Sequence, residues 1–150
     1  MIRVYLDNCC LNRPFDDQRQ ARIRLESEAI MAIIEQIQSG KLNWISSDAI
    51  DIELSYAPDN IKRQRVTWLT NLIHESIHIN DFIAKRAKEI VEMGFKTFDA
   101  LHLACAEYGN ANIFLTTDDK LIRRAKILIG KLMIQVKNPV DWIMTQDLEE

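Results

Sequence analysis

Asp7, Glu53, Asp99 and Asp118 are the residues of this chain whose type and placement best suit chemistry. Asp7 ends the run Ile2-Arg3-Val4-Tyr5-Leu6-Asp7. Glu53 falls in a short helical segment after a strand-like stretch. Asp99 opens the run Phe98-Asp99-Ala100-Leu101-His102-Leu103-Ala104, and Asp118 closes Phe114-Leu115-Thr116-Thr117-Asp118-Asp119. Ionised carboxylates repel one another, and several in one place are costly without a cation. Hard oxygen donors select Mg²⁺ or Mn²⁺. Brought together, the four would make the site of a divalent-metal hydrolase. Taken singly, each acid has a simpler role. Asp118 would cap a helix, Asp99 would favour a helix's first turn, Glu53 would sit on a surface helix, and Asp7 would start an Asx turn. The set points to a site where the single residues do not.

The elements that must position these acids follow from hydrophobic period and punctuation. Ile2–Leu6 reads as a buried strand, and Asn8–Asp17 as a loop containing Pro14. Asp17 is expected to cap a helix over Arg19–Ser39, where Ile23, Ile30, Ile33, Ile34 and Ile37 recur at helical spacing until Gly40. Leu42–Ser46 reads as a strand. Ser47 or Asp48 then caps a short helix to about Tyr56, which breaks before Pro58. Asp59 or Asn60 starts a helix to about Ile73, and Ile77–Ile79 reads as a short strand. Asn80 caps a helix that Gly94 ends, and Thr97 caps another that runs to about Tyr108 before Gly109. Ile113–Thr116 and Leu132–Val136 read as strands. Asp118 or Asp119 caps a basic helix between them, and Asn138-Pro139 begins a last helical turn. Strands alternating with helices predict a mostly parallel sheet covered on both faces, a single α/β/α domain over residues 1–150. In such sheets ligands bind beyond the carboxyl ends of the strands, near the point where strand order reverses. Asp7 and Asp118 each lie just past a strand, so convergence is expected there.

Composition narrows the classes. Apolar residues make up 47% and charged residues 27%, which is ordinary for a soluble domain. No apolar stretch reaches the ~20 residues of a membrane helix, and no signal peptide is visible at the N-terminus. Three cysteines, with Cys9 and Cys10 adjacent, argue against a disulfide framework and for a reducing, cytoplasmic setting. A net charge of -3 carries no global nucleic-acid footprint. Basic residues nevertheless gather locally at Arg19, Arg22 and Arg24, at Lys62, Arg63 and Arg65, and at Lys120, Arg123, Arg124 and Lys126.

Several motifs are set aside. His74-Glu75-Ser76-Ile77-His78 spells a zinc-protease pattern, but that chemistry needs both histidines one turn apart on a helix. Here the segment reads as a helix end running into a strand, where residues four apart lie about 13 Å from each other. Asp7-Asn8-Cys9 lacks the second Asp of a phosphoaspartate phosphatase, and the four glycines are too scattered for a phosphate-cradling loop. His102 shares a helix face with Asp99. It could orient a carboxylate or act as a base, and a hydrogen bond under the site is the favoured role.

The ordered set Val4-Tyr5-Leu6-Asp7, Glu53, Thr97-Phe98-Asp99-Ala100-Leu101-His102-Leu103-Ala104 and Leu115-Thr116-Thr117-Asp118 resembles the PIN-domain nucleases, which include the toxins of VapBC-type toxin–antitoxin pairs. The resemblance extends to about Val136. It implies a Rossmann-like α/β/α sandwich and an Mg²⁺- or Mn²⁺-dependent endoribonuclease whose products carry a 5′-phosphate and a 3′-hydroxyl. Asp7, Glu53, Asp99 and Asp118 would hold metal and do the catalysis. Asn8, Thr116 and Asp119 would support them, and Arg13, Lys120 or Arg124 would hold the RNA backbone. It also implies a homodimer and a small antitoxin. An Arg of that partner would answer the acids, and its helix would lie in a groove between residues 60–73 and 19–39. The chain departs from the family where a small hydroxyl residue and then Asn usually follow the first Asp, because Asn8 and Cys9 stand there. Two other readings stay open: a non-catalytic RNA- or protein-binding module on the same fold, and a metal-dependent phosphatase.

Overall fold

A computed structural model describes residues 1–147 of the chain. Five strands, β1 (Ile2–Leu6), β2 (Leu42–Ser47), β3 (Glu75–Ile77), β4 (Ile113–Leu115) and β5 (Gln135–Lys137), form one sheet in the order β3-β2-β1-β4-β5. Every pair is parallel, with Val4 beside both Trp44 and Ile113, and Phe114 beside Val136. The helices are α1 (Asn8–Asn12), α2 (Ala21–Gln38), α3 (Asp48–Ser55), α4 (Asn60–Leu69), α5 (Asp81–Glu92), α6 (Thr97–Tyr108), α7 (Asp119–Ile127) and α8 (Pro139–Asp147). Among the described residues no helix is long and apolar enough to cross a membrane.

The period of two in each strand divides the core between the faces. Val4, Leu6, Trp44, Ile113 and Leu115 join Ile30, Ile33, Ile50, Val66 and Trp142 on one side. Tyr5, Ile45, Phe114 and Val136 join Ile83, Ile90, Leu103 and Leu121 on the other. Each fully buried aliphatic side chain contributes about 1.5–3 kcal/mol. Both faces of the sheet are therefore covered by helices.

Several boundaries differ from expectation. The stretch after Asp7 is not a loop. It forms α1 and then a 3-10 turn over Arg13–Phe15, and the Asp7 side chain accepts the Asn8 N–H at 2.8 Å as the helix cap. Asp17 does not cap α2, because it bonds the Arg19 backbone and guanidinium instead. Thr97 is the first helical residue of α6 rather than its cap, a position that Lys96 holds without a side-chain bond. The helix after Asp59 gives way at Thr70 to a 3-10 turn, and β3 precedes the expected strand, ending at Ile77. The last strand is Gln135–Lys137 rather than Leu132–Val136. Ser47, Asp59, Asn80 and Asp118 do cap their helices.

β3 accounts for the histidines of the protease-like motif. His74 precedes the strand, and its Nδ1 accepts the Trp44 N–H at 3.1 Å. His78 follows the strand and faces Asp48 at 3.1 Å. The two therefore serve different neighbours.

Candidate active site

Strand order reverses between β1 and β4, the place where parallel sheets bind ligands beyond their carboxyl ends. Asp7 is buried there, because β1 ends and α1 starts at that point. Thr116, one residue past β4, donates its hydroxyl to Asp7 Oδ2 at 2.8 Å and accepts the Asp118 N–H at 3.2 Å. Asp118 caps α7 through the Lys120 and Leu121 N–H groups. Asp99 lies in the first turn of α6, and Glu53 in the second half of α3.

The acids sense one another. Asp99 is pushed up to about 6, first by burial and then by the negative charges of Asp7 and Asp118, with Glu53 adding to them. An oxygen of Asp7, an oxygen of Glu53 and a ring nitrogen of His102 all lie within 4.8 Å of one another. Among the described residues no Lys or Arg forms an ion pair with Asp7, Glu53, Asp99 or Asp118. Oxygen-rich, uncompensated and partly desolvated, this donor set fits a hard divalent cation.

Beneath the acids runs a buried polar chain. His102 Nε2 faces Glu53 Oε2 at 3.4 Å, its Nδ1 meets the Tyr5 hydroxyl at 2.7 Å, and that hydroxyl meets Ser47 Oγ at 2.6 Å. Burial lowers the proton affinity of His102, but the Glu53 bond and the charges of Asp7, Glu53 and Asp99 outweigh it, and the net shift is upward. Burial pushes the Tyr5 phenol well above its ordinary range. The expected bond under the site is thus present. Tyr5 and Ser47 carry no mark of this role in the sequence beyond a tyrosine hydroxyl in a buried strand.

Cys9 occupies the departure in the first motif. Its sulfur accepts the Thr117 N–H at 3.3 Å and lies 3.3 Å from Thr116 Oγ1 and 3.5 Å from Asp7 Oδ2. A thiol therefore makes contacts here that suit a hydroxyl. The buried Asn8 Oδ1 has no protein partner, so Asn8 supports Asp7 through its backbone N–H.

The remaining expected residues fall into two groups. Arg13 is engaged by Glu26 at 2.8 Å and Asp16 at 2.8 Å, and it also lines the cleft beside Asp118. Asp119 faces Arg22, which forks onto it at 2.7 and 2.8 Å and also donates to the Thr117 carbonyl at 3.0 Å. The guanidinium of Arg124 packs on Gly94, whose φ of +105° admits no side chain easily. Lys120 lines that polar cleft with Arg13, Arg22, Asp118, Asp119, Lys96 and Arg123. Lys96, Lys120 and Arg123 are exposed and in no ion pair among the described residues.

A parallel sheet with acids near its switch point defines an α/β protein whose donor set could hold a metal ion. The chain belongs to the PIN domain family, whose profile matches residues 4–127. That family comprises nucleases that use divalent metals. FitAcB from Neisseria gonorrhoeae has a similar structure, with a TM-score of 0.60 and 14% identity over 91% of this chain and 97% of that one. VapBC-1 from nontypeable Haemophilus influenzae gives 0.58 and 14% over 92% and 98%. VapBC2 from Rickettsia felis, in a structure bound to a DNA fragment from its promoter, gives 0.58 and 14% over 90% and 98%. At that identity the likeness establishes the fold. No curated protein sequence matches the chain.

Proposed function

We propose that this protein is an Mg²⁺- or Mn²⁺-dependent endoribonuclease and the toxin of a toxin–antitoxin pair. The observation that carries the reading is the grouping of Asp7, Glu53 and His102 at the sheet's switch point, with Asp99 coupled to Asp7, Asp118 and Glu53, in a chain of the PIN domain family. Asp7, Asp99 and Asp118 would hold the cation, with Glu53 completing the set. When bound, the metal supplies a water of lowered pKa and offsets charge at the reacting phosphate. Lys96, Lys120 and Arg123 would take the strand's phosphates along the cleft beside Asp118. They keep the backbone in register while Asp7 stays rigid through Thr116 and Asn8.

Its partners in this reading are single-stranded RNA, a second copy of the chain and a small antitoxin. An antitoxin Arg would pair with the acids, since its planar fork matches carboxylates and stays charged. The solved VapBC relatives support the choice of partner.

The test is cleavage of single-stranded RNA beside hydrolysis of a small phosphate ester, with Mg²⁺, with Mn²⁺ and with chelator. Metal-dependent RNA cleavage with 5′-phosphate ends, lost in Asp7→Asn and Asp118→Asn, is the expected result. Ester hydrolysis alone would make it a phosphatase, and metal binding without either activity a binding module.

A further inference from the structure

The chain Ser47–Tyr5–His102–Glu53 has more geometric order than a buried histidine needs. Its three inner members are sealed: Tyr5 and His102 are fully buried, and Ser47 is nearly so. They come from separate elements, with Tyr5 on β1, Ser47 at the end of β2 and His102 on α6. The contact with Glu53 sets the direction of the chain. His102 Nε2 faces Glu53 Oε2 at 3.4 Å, and a proton on Nε2 lets the ring donate to that carboxylate. Nδ1 is then an acceptor for the Tyr5 hydroxyl at 2.7 Å. Ser47 Oγ, which accepts the Ala49 N–H at 3.2 Å as the cap of α3, lies 2.6 Å from the Tyr5 oxygen and holds it in place. The opposite tautomer would set a bare Nε2 lone pair against a carboxylate oxygen, acceptor against acceptor. An imidazolium would still carry the Nε2 proton.

We infer that His102 is a positioning residue: its Nε2–H, oriented by Tyr5 and Ser47, aims Glu53 at the cation and keeps the imidazole itself out of the coordination shell. This rests on the metal-nuclease reading above. It adds a specificity consequence to that reading. Asp7, Glu53 and His102 together look like a mixed nitrogen–oxygen site, which would suit zinc. With Nε2 protonated the set presents oxygen alone, which suits Mg²⁺ and Mn²⁺. Groups that orient a metal's ligands typically change affinity by about 10–100-fold when removed.

The first experiment is long-range proton–nitrogen NMR on the ¹⁵N-histidine protein without metal. A proton on His102 Nε2 is expected, and a bare Nε2 with protonated Nδ1 would overturn the assignment. The second is Mn²⁺ affinity by electron paramagnetic resonance, with His102→Leu expected to bind about 10–100-fold more weakly. His102→Gln, whose amide N–H can reach Glu53, should recover most of the loss. Tyr5→Phe keeps the ring stacked on Phe114, 5.3 Å between centroids, and removes only the hydroxyl. It should weaken binding about tenfold, at the lower end of such effects, and it remains informative if His102→Leu fails to fold. Unchanged affinity in a folded His102→Leu or in Tyr5→Phe, directly bound nitrogen in the Mn²⁺ spectrum, or no Mn²⁺ binding by wild type would each overturn the proposal. Wild type that binds Mn²⁺ with the expected tautomer but cuts no RNA would sink the nuclease reading and leave the positioning role standing.

Discussion

Thr116 donates its hydroxyl to Asp7 at 2.8 Å, joining the ends of the two central strands directly under the acid cluster. The same oxygen accepts the Asp118 N–H, so one side chain sets the spacing of two acids from different strands. Thr116→Val keeps the volume and removes both bonds. Leaving buried polar groups unsatisfied costs about 1–3 kcal/mol. Urea unfolding should show a loss of that size, and a loss below about 0.5 kcal/mol, within the usual scatter of surface changes, would mean that Thr116 does not hold the site.

Asp99→Asn should stabilise the metal-free protein at pH 7 and change little at pH 4. The folded state raises the Asp99 pKa from 3.8 to about 6, through burial and the charges of Asp7 and Asp118. Between those values the folded protein binds more protons than the unfolded chain, so its stability falls as pH rises through the window. The full linkage is about 3 kcal/mol, and solvent screening of this half-buried group reduces the expected gain to about 1 kcal/mol. Thermal melts of both proteins at the two pH values decide it, and a variant less stable at pH 7 would contradict the repulsion.

Glu26→Ala should destabilise the fold without touching the acid site. Glu26 is buried on α2 and takes Arg13 at 2.8 Å, Arg22 at 3.3 Å and Asn138 at 2.7 Å. Removing it leaves the part-buried Arg13 short of charge, and breaking such a pair costs about 3–5 kcal/mol. Denaturant titration measures this. Asp17→Ala, at an exposed ion pair with Arg19, should leave the unfolding midpoint unchanged.

The protease-like histidines should bind no stoichiometric zinc, because β3 separates them and each has its own partner. Elemental analysis of wild type and of the His74→Ala, His78→Ala double variant should agree. His74→Ala alone should cost about 1–3 kcal/mol, since the Trp44 N–H loses its acceptor.

Gly109→Ala tests close packing. Gly109 has an ordinary φ of -79°, but an added Cβ would lie 3.0 Å from Ile45 and Ile77. Overpacking of this kind costs about 1–3 kcal/mol. Gly40→Ala has open space and a φ of +80°, so any loss there comes from backbone strain alone.

Much of this molecule was legible along the chain. Alternating strands and amphipathic helices determined a parallel, doubly covered sheet, since a period of two and a period of 3.6 each leave an apolar face to bury. Asn80, Asp59 and Asp118 announced their helix starts, because a short side-chain acceptor before a helix satisfies otherwise unpaired N–H groups. The acids were legible as a set, because Asp7 and Asp118 fall at strand ends that a parallel sheet must bring to one side. Tertiary structure alone decided the rest. Arg13 reads in sequence as a free cation, and only the packing of α2 against the turn after α1 pairs it with Glu26 at the edge of the cleft. Asp119 could have joined the acids, but α7 turns it toward Arg22. Tyr5 and Ser47 show no function until α6 lays His102 between the strands and Glu53, because a hydrogen bond between residues 97 positions apart exists only once the core has closed.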